Sequence, residues 1–145
     1  MIFIESEYTE DEITLGIIYY QGRGVEKDVD KAVSYYLRAA RHGDSNGLLL
    51  MGLVATKEGN AEAQYYLGEF LAEGRLVPKN YEKAVNWLSK AAEQDYTQAQ
   101  YMLGKMYYEG KGVWMDKAKG LRLLNIASEK GYKPATDYLR ERGEK

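Results

Sequence analysis

Cysteine is missing from all 145 residues, which excludes disulfides and thiolate metal sites and suits a reducing compartment. Histidine is almost missing: His42 stands alone. Without a second imidazole or a thiol, the chain holds no pair from which a metal site or a base-activated nucleophile could be built. His42 precedes Gly43 and reads as a helix-end histidine interacting with terminal carbonyls. Two prolines leave no stretch that reads as a linker. No apolar run reaches the ~18 residues of a membrane span, and Met1-Ile2-Phe3-Ile4-Glu5 is too short for a signal peptide. A net charge of −2 gives no basic footprint for nucleic acid. Charge is unevenly spread, however: residues 1–30 hold eight acids against two bases.

What the chain does have is a repeat. Leu15-Gly16, Leu67-Gly68 and Leu103-Gly104 each open one pattern in one phase. Six residues on stand Gly22, Gly74 and Gly110, and twelve on Asp28, Asn80 and Asp116. Lys31-Ala32, Lys83-Ala84 and Lys119-Gly120 follow. Gly68 and Gly104 are 36 residues apart, a period that marks a solenoid of stacked supersecondary units. Each unit reads as two helices, the first stopped by glycine and the second capped by Asp or Asn. Asn60 reads as another N-cap, and Thr9-x-x-Glu12 and Thr97-x-x-Gln100 as capping boxes. Gly43 and Gly131 read as terminators. The expected division is one domain over 1–145, with units 9–44, 60–95 and 96–131. Lys133-Pro134 then opens a capping helix over 133–142, with Arg140 in the place of a crossing glycine.

Glycine inside a helix costs roughly 0.5–1 kcal/mol relative to alanine, so its return at Gly16, Gly52, Gly68 and Gly104 needs a cause. Close crossing by a neighbouring helix supplies one, and the small residues Ala32, Ala39, Ala84, Ala91 and Ala127 agree with it. Residues 45–59 form a degenerate half-unit. Gly52 lies 36 after Gly16, as in a first helix, while Ala55 lies 36 before Ala91, as in a second. Either way one helix of a pair is lost, through repeat decay or as a kink shaping a binding surface.

The runs Ala63-x-Tyr65-x-Leu67-Gly68, Ala99-x-Tyr101-x-Leu103-Gly104-x-x-Tyr107-x-x-Gly110-x-Gly112-Val113 and Lys83-Ala84-x-x-Trp87-x-x-Lys90-Ala91-Ala92 resemble the Sel1-like repeat family, a relative of the tetratricopeptide repeats. The resemblance covers roughly residues 10–140. It implies an all-α, right-handed α-α superhelix of antiparallel helix pairs with about eight helices. It also implies adaptor or scaffold roles, hence protein binding with no catalytic residue, metal or cofactor. Departures are Leu76 for the second turn glycine, which predicts a different turn, Gly120 for alanine, which predicts a weaker helix, and Leu123 for Tyr35 or Trp87.

Fourteen tyrosines are the excess that composition leaves over. Tyr35, Tyr65, Tyr101 and Tyr107 fall at family positions that pack between helices, whereas Tyr20, Tyr36, Tyr66, Tyr81 and Tyr108 stand beside them. By analogy with tetratricopeptide repeats, the concave side takes Glu10, Ile13, Ile17 and Tyr20 from the first unit. The second supplies Glu62, Tyr65, Glu69 and Glu73, and the third Gln98, Tyr101, Lys105, Tyr108 and Glu109. Tyrosine offers stiff contact area with a polar tip. An acidic, aromatic groove of this kind suits a basic protein partner. Trp114 interrupts an otherwise polar turn, either as an exposed anchor or folded back on Tyr132 or Tyr138. The expected function is a small cytoplasmic inhibitor or immunity-type protein masking a basic partner such as a toxin, monomeric apart from that partner. The alternatives are a general adaptor in signalling or secretion and, remotely, an enzyme acting on cell wall or small molecules.

Overall fold

The computed structural model describes residues 9–144, with the side chains of Thr9 and Glu10 left out. Among the described residues eight α-helices follow one another: α1 (Thr9–Gln21), α2 (Val29–Arg41), α3 (Ser45–Lys57), α4 (Ala61–Glu73), α5 (Tyr81–Glu93), α6 (Thr97–Glu109), α7 (Lys117–Glu129) and α8 (Lys133–Glu141). Among the described residues there is no strand, and no helix is long and apolar enough to cross a membrane. Each helix packs chiefly on its sequence neighbours, the signature of an all-α solenoid.

Local chemistry sets the ends. Asp28, Asn80 and Asp116 accept from the backbone N–H of Lys31, Lys83 and Lys119, each at 3.0 Å. Asn60 caps α4 through Ala63 N–H at 2.9 Å, as its sequence position predicts. The capping box expected at Thr9-x-x-Glu12 involves the Thr9 side chain, which lies outside the described residues, and the one expected at Thr97-x-x-Gln100 does not form. α6 has no side-chain cap, and Gln100 instead donates to Asp95 Oδ1 and accepts from Lys130. Glu12 is 1% exposed and meets His42 Nδ1 at 3.2 Å and the Arg38 guanidinium at 3.6 Å. The His42 side chain therefore serves a buried carboxylate, not the terminal carbonyls. These contacts form a series: Glu12–His42, Gln64–Gln94 and Gln100–Lys130 are each 30 residues apart and pin the start of a first helix to the end of a second.

The expected different turn at Leu76 does not occur. Leu76 takes φ +65°, beside +75° for Gly24 and +73° for Gly112. The same two backbone bonds hold all three turns: Arg23, Arg75 and Lys111 N–H donate to Ile18, Phe70 and Met106 carbonyls, and Asp28, Asn80 and Asp116 to Tyr19, Leu71 and Tyr107. Two bonds outweigh the left-handed penalty of a leucine, about 1–2 kcal/mol.

Close crossing holds at three of the four helix glycines. A Cβ on Gly68 would lie 2.7 Å from Leu88 Cγ, one on Gly104 2.9 Å from Leu124 Cγ, and one on Gly16 would strike the Tyr36 ring. Gly52 is the exception: nothing lies within 4 Å of its Cβ position. In α3 the tight contact falls on Gly47 instead, against α2 at Ala40 N (2.8 Å). Gly120 does not shorten α7, which runs 13 residues. A methyl there would meet the Gly104 carbonyl at 2.7 Å and Tyr108 N at 2.8 Å, so glycine lets α6 and α7 approach backbone to backbone.

α3 is both kinds of helix. It enters after α2 through Gly43-Asp44, as a first helix follows a second. It leaves through Glu58-Gly59-Asn60, with Gly59 left-handed, as α5 leaves through Asp95 and α7 through Gly131. Among the described residues no helix lies across Gly52.

Candidate protein-binding face

Adjacent tyrosines sort by helix phase. Tyr36, only 2% exposed, is the core member of its pair, and burial pushes its hydroxyl up to about 12. Tyr35 is half-buried and stacks on Tyr19 at 5.9 Å, reversing the roles the sequence suggested. Tyr65 is buried as expected, edge-on to Tyr66 at 4.9 Å and against Tyr96 at 5.3 Å. A second cluster follows, with Tyr101 between Tyr132 and Tyr138, and Tyr138 edge-on to Tyr108 at 6.0 Å.

Along this face α4, α6 and α8 bring together Glu73, Tyr101, Lys105 and Glu109, with Tyr81, Lys111, Tyr138, Glu141 and Arg142 beside them, around a cleft of about 490 Å³. Tyr138 donates to Glu109, and the Arg142 guanidinium lies 3.5 Å from the Tyr138 ring centroid. Lys105 is over Tyr101 at 4.8 Å. Burial pulls Glu109 up, but the Tyr138 hydroxyl and Lys111 outweigh it and hold the carboxyl below its ordinary value. Three acids meet three bases here, so this end is mixed in sign.

The acidic part lies on α4. Burial raises Glu69, against a hydrogen bond from Tyr65 at 3.1 Å, and burial with nearby Asp30 raises Glu62. Among the described residues neither carboxylate has an ion pair within 4 Å. Tyr20 stands apart, donating to Glu58 at 2.9 Å beneath Lys27. Tyr108 donates to Glu144. The side chain of Glu10 lies outside the described residues. Trp114 is 95% exposed in the α6–α7 turn and does not fold back on Tyr132 or Tyr138.

Sequence reasoning missed Tyr132, Tyr138 and Arg142. The first two carried a signal: Tyr132 follows Tyr96 by 36 residues and Tyr138 follows Tyr66 by 72. Among the described residues no group of acids and His could hold a metal ion.

Comparison with known proteins agrees with this architecture. Residues 14–44, 61–96 and 97–132 match the Sel1 repeat. A Sel1 repeat protein from Oxalobacter formigenes is 27% identical with a TM-score of 0.57, over 94% of this chain and 92% of that one. Helicobacter pylori cysteine rich protein B is 26% identical with a TM-score of 0.57, over 81% and 99%. The protective antigen c5321 of uropathogenic Escherichia coli is 28% identical with a TM-score of 0.58, over 97% of this chain but 35% of that one. Among curated proteins nothing matches.

Proposed function

The chain belongs to the Sel1 repeat family, whose units mediate protein–protein interaction, and on that premise we propose that it binds and masks a basic partner as a small inhibitor or immunity-type protein. The observation that carries the reading is the pairing of Glu62 and Glu69 with the tyrosine clusters beside them. Both carboxylates are desolvated and have no ion pair within 4 Å among the described residues, and Arg41 and Arg75 act on Glu69 only from further off. A lysine or arginine from a partner would supply the missing charge, and the aromatic rings a stiff, preorganised contact. The contact residues are Glu62, Glu69, Glu73, Tyr101 and Lys105. Tyr65 shapes the surface from beneath. The place of action is the cytoplasm, and the chemistry is recognition alone. Trp114 favours a second reading, an adaptor with two contact surfaces, because it is fully displayed on a separate turn.

Affinity capture from native lysate tests this, followed by binding kinetics with the captured protein. One stoichiometric basic partner is expected. Glu69→Lys with Glu73→Lys slows association and flattens the salt dependence, whereas Tyr101→Ala speeds dissociation, costing about 2 kcal/mol. Several partners of one pathway would favour the adaptor, and unchanged kinetics in both variants would move the site elsewhere. The pH dependence has a fixed sign. Glu62 and Glu69 titrate above their ordinary value in the free protein, and an ion pair with a partner lowers them, so binding releases protons. Affinity is full at neutral pH and falls as pH drops through the raised carboxyl range.

A further inference from the structure

On the uncovered side of α3 an apolar groove of about 520 Å³ opens to solvent, lined by Leu49, Gly52, Leu53, Leu71, Leu76 and Trp87 among others. Leu49 is 64% and Leu53 50% exposed, an arrangement that single scattered surface leucines do not explain. We propose that this groove docks an amphipathic α-helix of a protein partner, one carrying acidic residues beside its apolar stripe, in place of the second helix that α3 lacks.

Register carries the argument. Gly52 is the eighth residue of α3, as Gly16, Gly68 and Gly104 are of α1, α4 and α6, and each of those three has a helix across it. The covering residues define the occupant's stripe. The Ala84 carbonyl and Leu88 lie over Gly68, and the Gly120 carbonyl and Leu124 over Gly104: a small residue, then leucine four on. Among the described residues only the seat at Gly52 is empty. Charge selects the partner's flank. Lys90 lies 5.3 Å over the Trp87 ring at the groove wall, and Lys83 is one turn before Trp87 on the same helix. None of the ion pairs among the described residues involves either lysine. This inference concerns a face separate from the tyrosine clusters and stands or falls without them.

The chain has two tryptophans, so Trp114→Phe leaves Trp87 as sole fluorescent reporter on the groove. The probe is a synthetic peptide of residues 80–94 with Lys83→Glu, Lys90→Glu and, so that only the protein's tryptophan reports, Trp87→Phe, held helical by a staple between positions 82 and 86. It is compared with the same stapled peptide keeping both lysines. The expected result is a saturable shift of Trp87 emission with the acidic peptide and at least tenfold weaker binding of the lysine form at low salt. Gly52→Leu should weaken the acidic peptide at least tenfold while melting no lower than the parent, since nothing lies within 4 Å of the Cβ position and the side chain extends into the open groove. Should that variant fail to fold, Leu53→Glu at the exposed rim is read in the same way. Absence of saturable binding, or full binding to a folded Gly52→Leu or Leu53→Glu protein, overturns the proposal. So does self-association in sedimentation that Gly52→Leu abolishes, which would give the groove to a second copy. Peptide binding that appears only after deletion of residues 1–8 would assign the groove to the chain's own beginning and overturn it equally.

Discussion

Gly68 and Gly52 hold the same place in helices of the same length, yet one lies beneath a leucine and the other beneath open solvent. In α4 the absent Cβ is what allows α5 to cross. In α3 it allows nothing and leaves the helix with an uncompensated conformational cost. A glycine period therefore reports register within a repeat, while the neighbour that makes glycine necessary is a separate fact of assembly. The same substitution should change sign between the two regions.

The comparison breaks most visibly at Gly104→Leu. The side chain would meet Leu124 Cγ at 2.9 Å and the Gly120 carbonyl at 3.0 Å, and backbone cannot move aside as a side chain can. A loss of about 3 kcal/mol is expected, read from urea unfolding. Gly120→Ala tests the other side of that crossing. Alanine is what Ala32 and Ala84 hold in the earlier units, but here a methyl lies 2.7 Å from the Gly104 carbonyl. It should cost about 1–2 kcal/mol, despite a helix propensity that favours alanine. Gly52→Ala goes the other way, raising stability by about 0.5–1 kcal/mol in the same measurement. A destabilised Gly52→Ala protein would mean that α3 is covered after all. Leu76→Gly is the smallest effect. It relieves a left-handed leucine but loosens the unfolded chain, for a net gain of about 0.5 kcal/mol in thermal melts.

Features written within one turn of chain were legible. Asn60, Asn80 and Gly74 mark helix ends by side-chain and backbone chemistry that needs no distant partner, and the structure has them there. Partners further away were not. Glu12 and Gln100 fit a capping box by spacing, yet residues 30 positions later engage both. Tyr35 and Tyr36 differ by one position, about 100° of helix phase, and sequence periodicity does not fix phase that finely. The α4 and α6 positions of the candidate face were readable from the repeat, which is regular there. The face was missed on α8, because Tyr138 and Arg142 reach Glu109 across a unit boundary. Leu76 failed for a different reason: residue preference reports what a turn favours, and hydrogen bonds at both ends decided what it adopts.

The pins between first and second helices have a topological consequence. Gln94 reaches Gln64 and also the Gly59 carbonyl, and Lys130 reaches Gln100 and the Asp95 carbonyl, so each pair of helices is tied from its last residue back to its entrance. Each pair is thereby a closed ring of chain, with the entropy of closure met inside the ring and not by its neighbours. An array of rings can lengthen or shorten by whole members without reopening those that remain. The segment from Gly43 to Glu58 belongs to no ring. It is a wall shared by the rings on either side, held by the close approach of Gly47 to α2 and by the bond from Gln64 Nε2 to the Ala55 carbonyl.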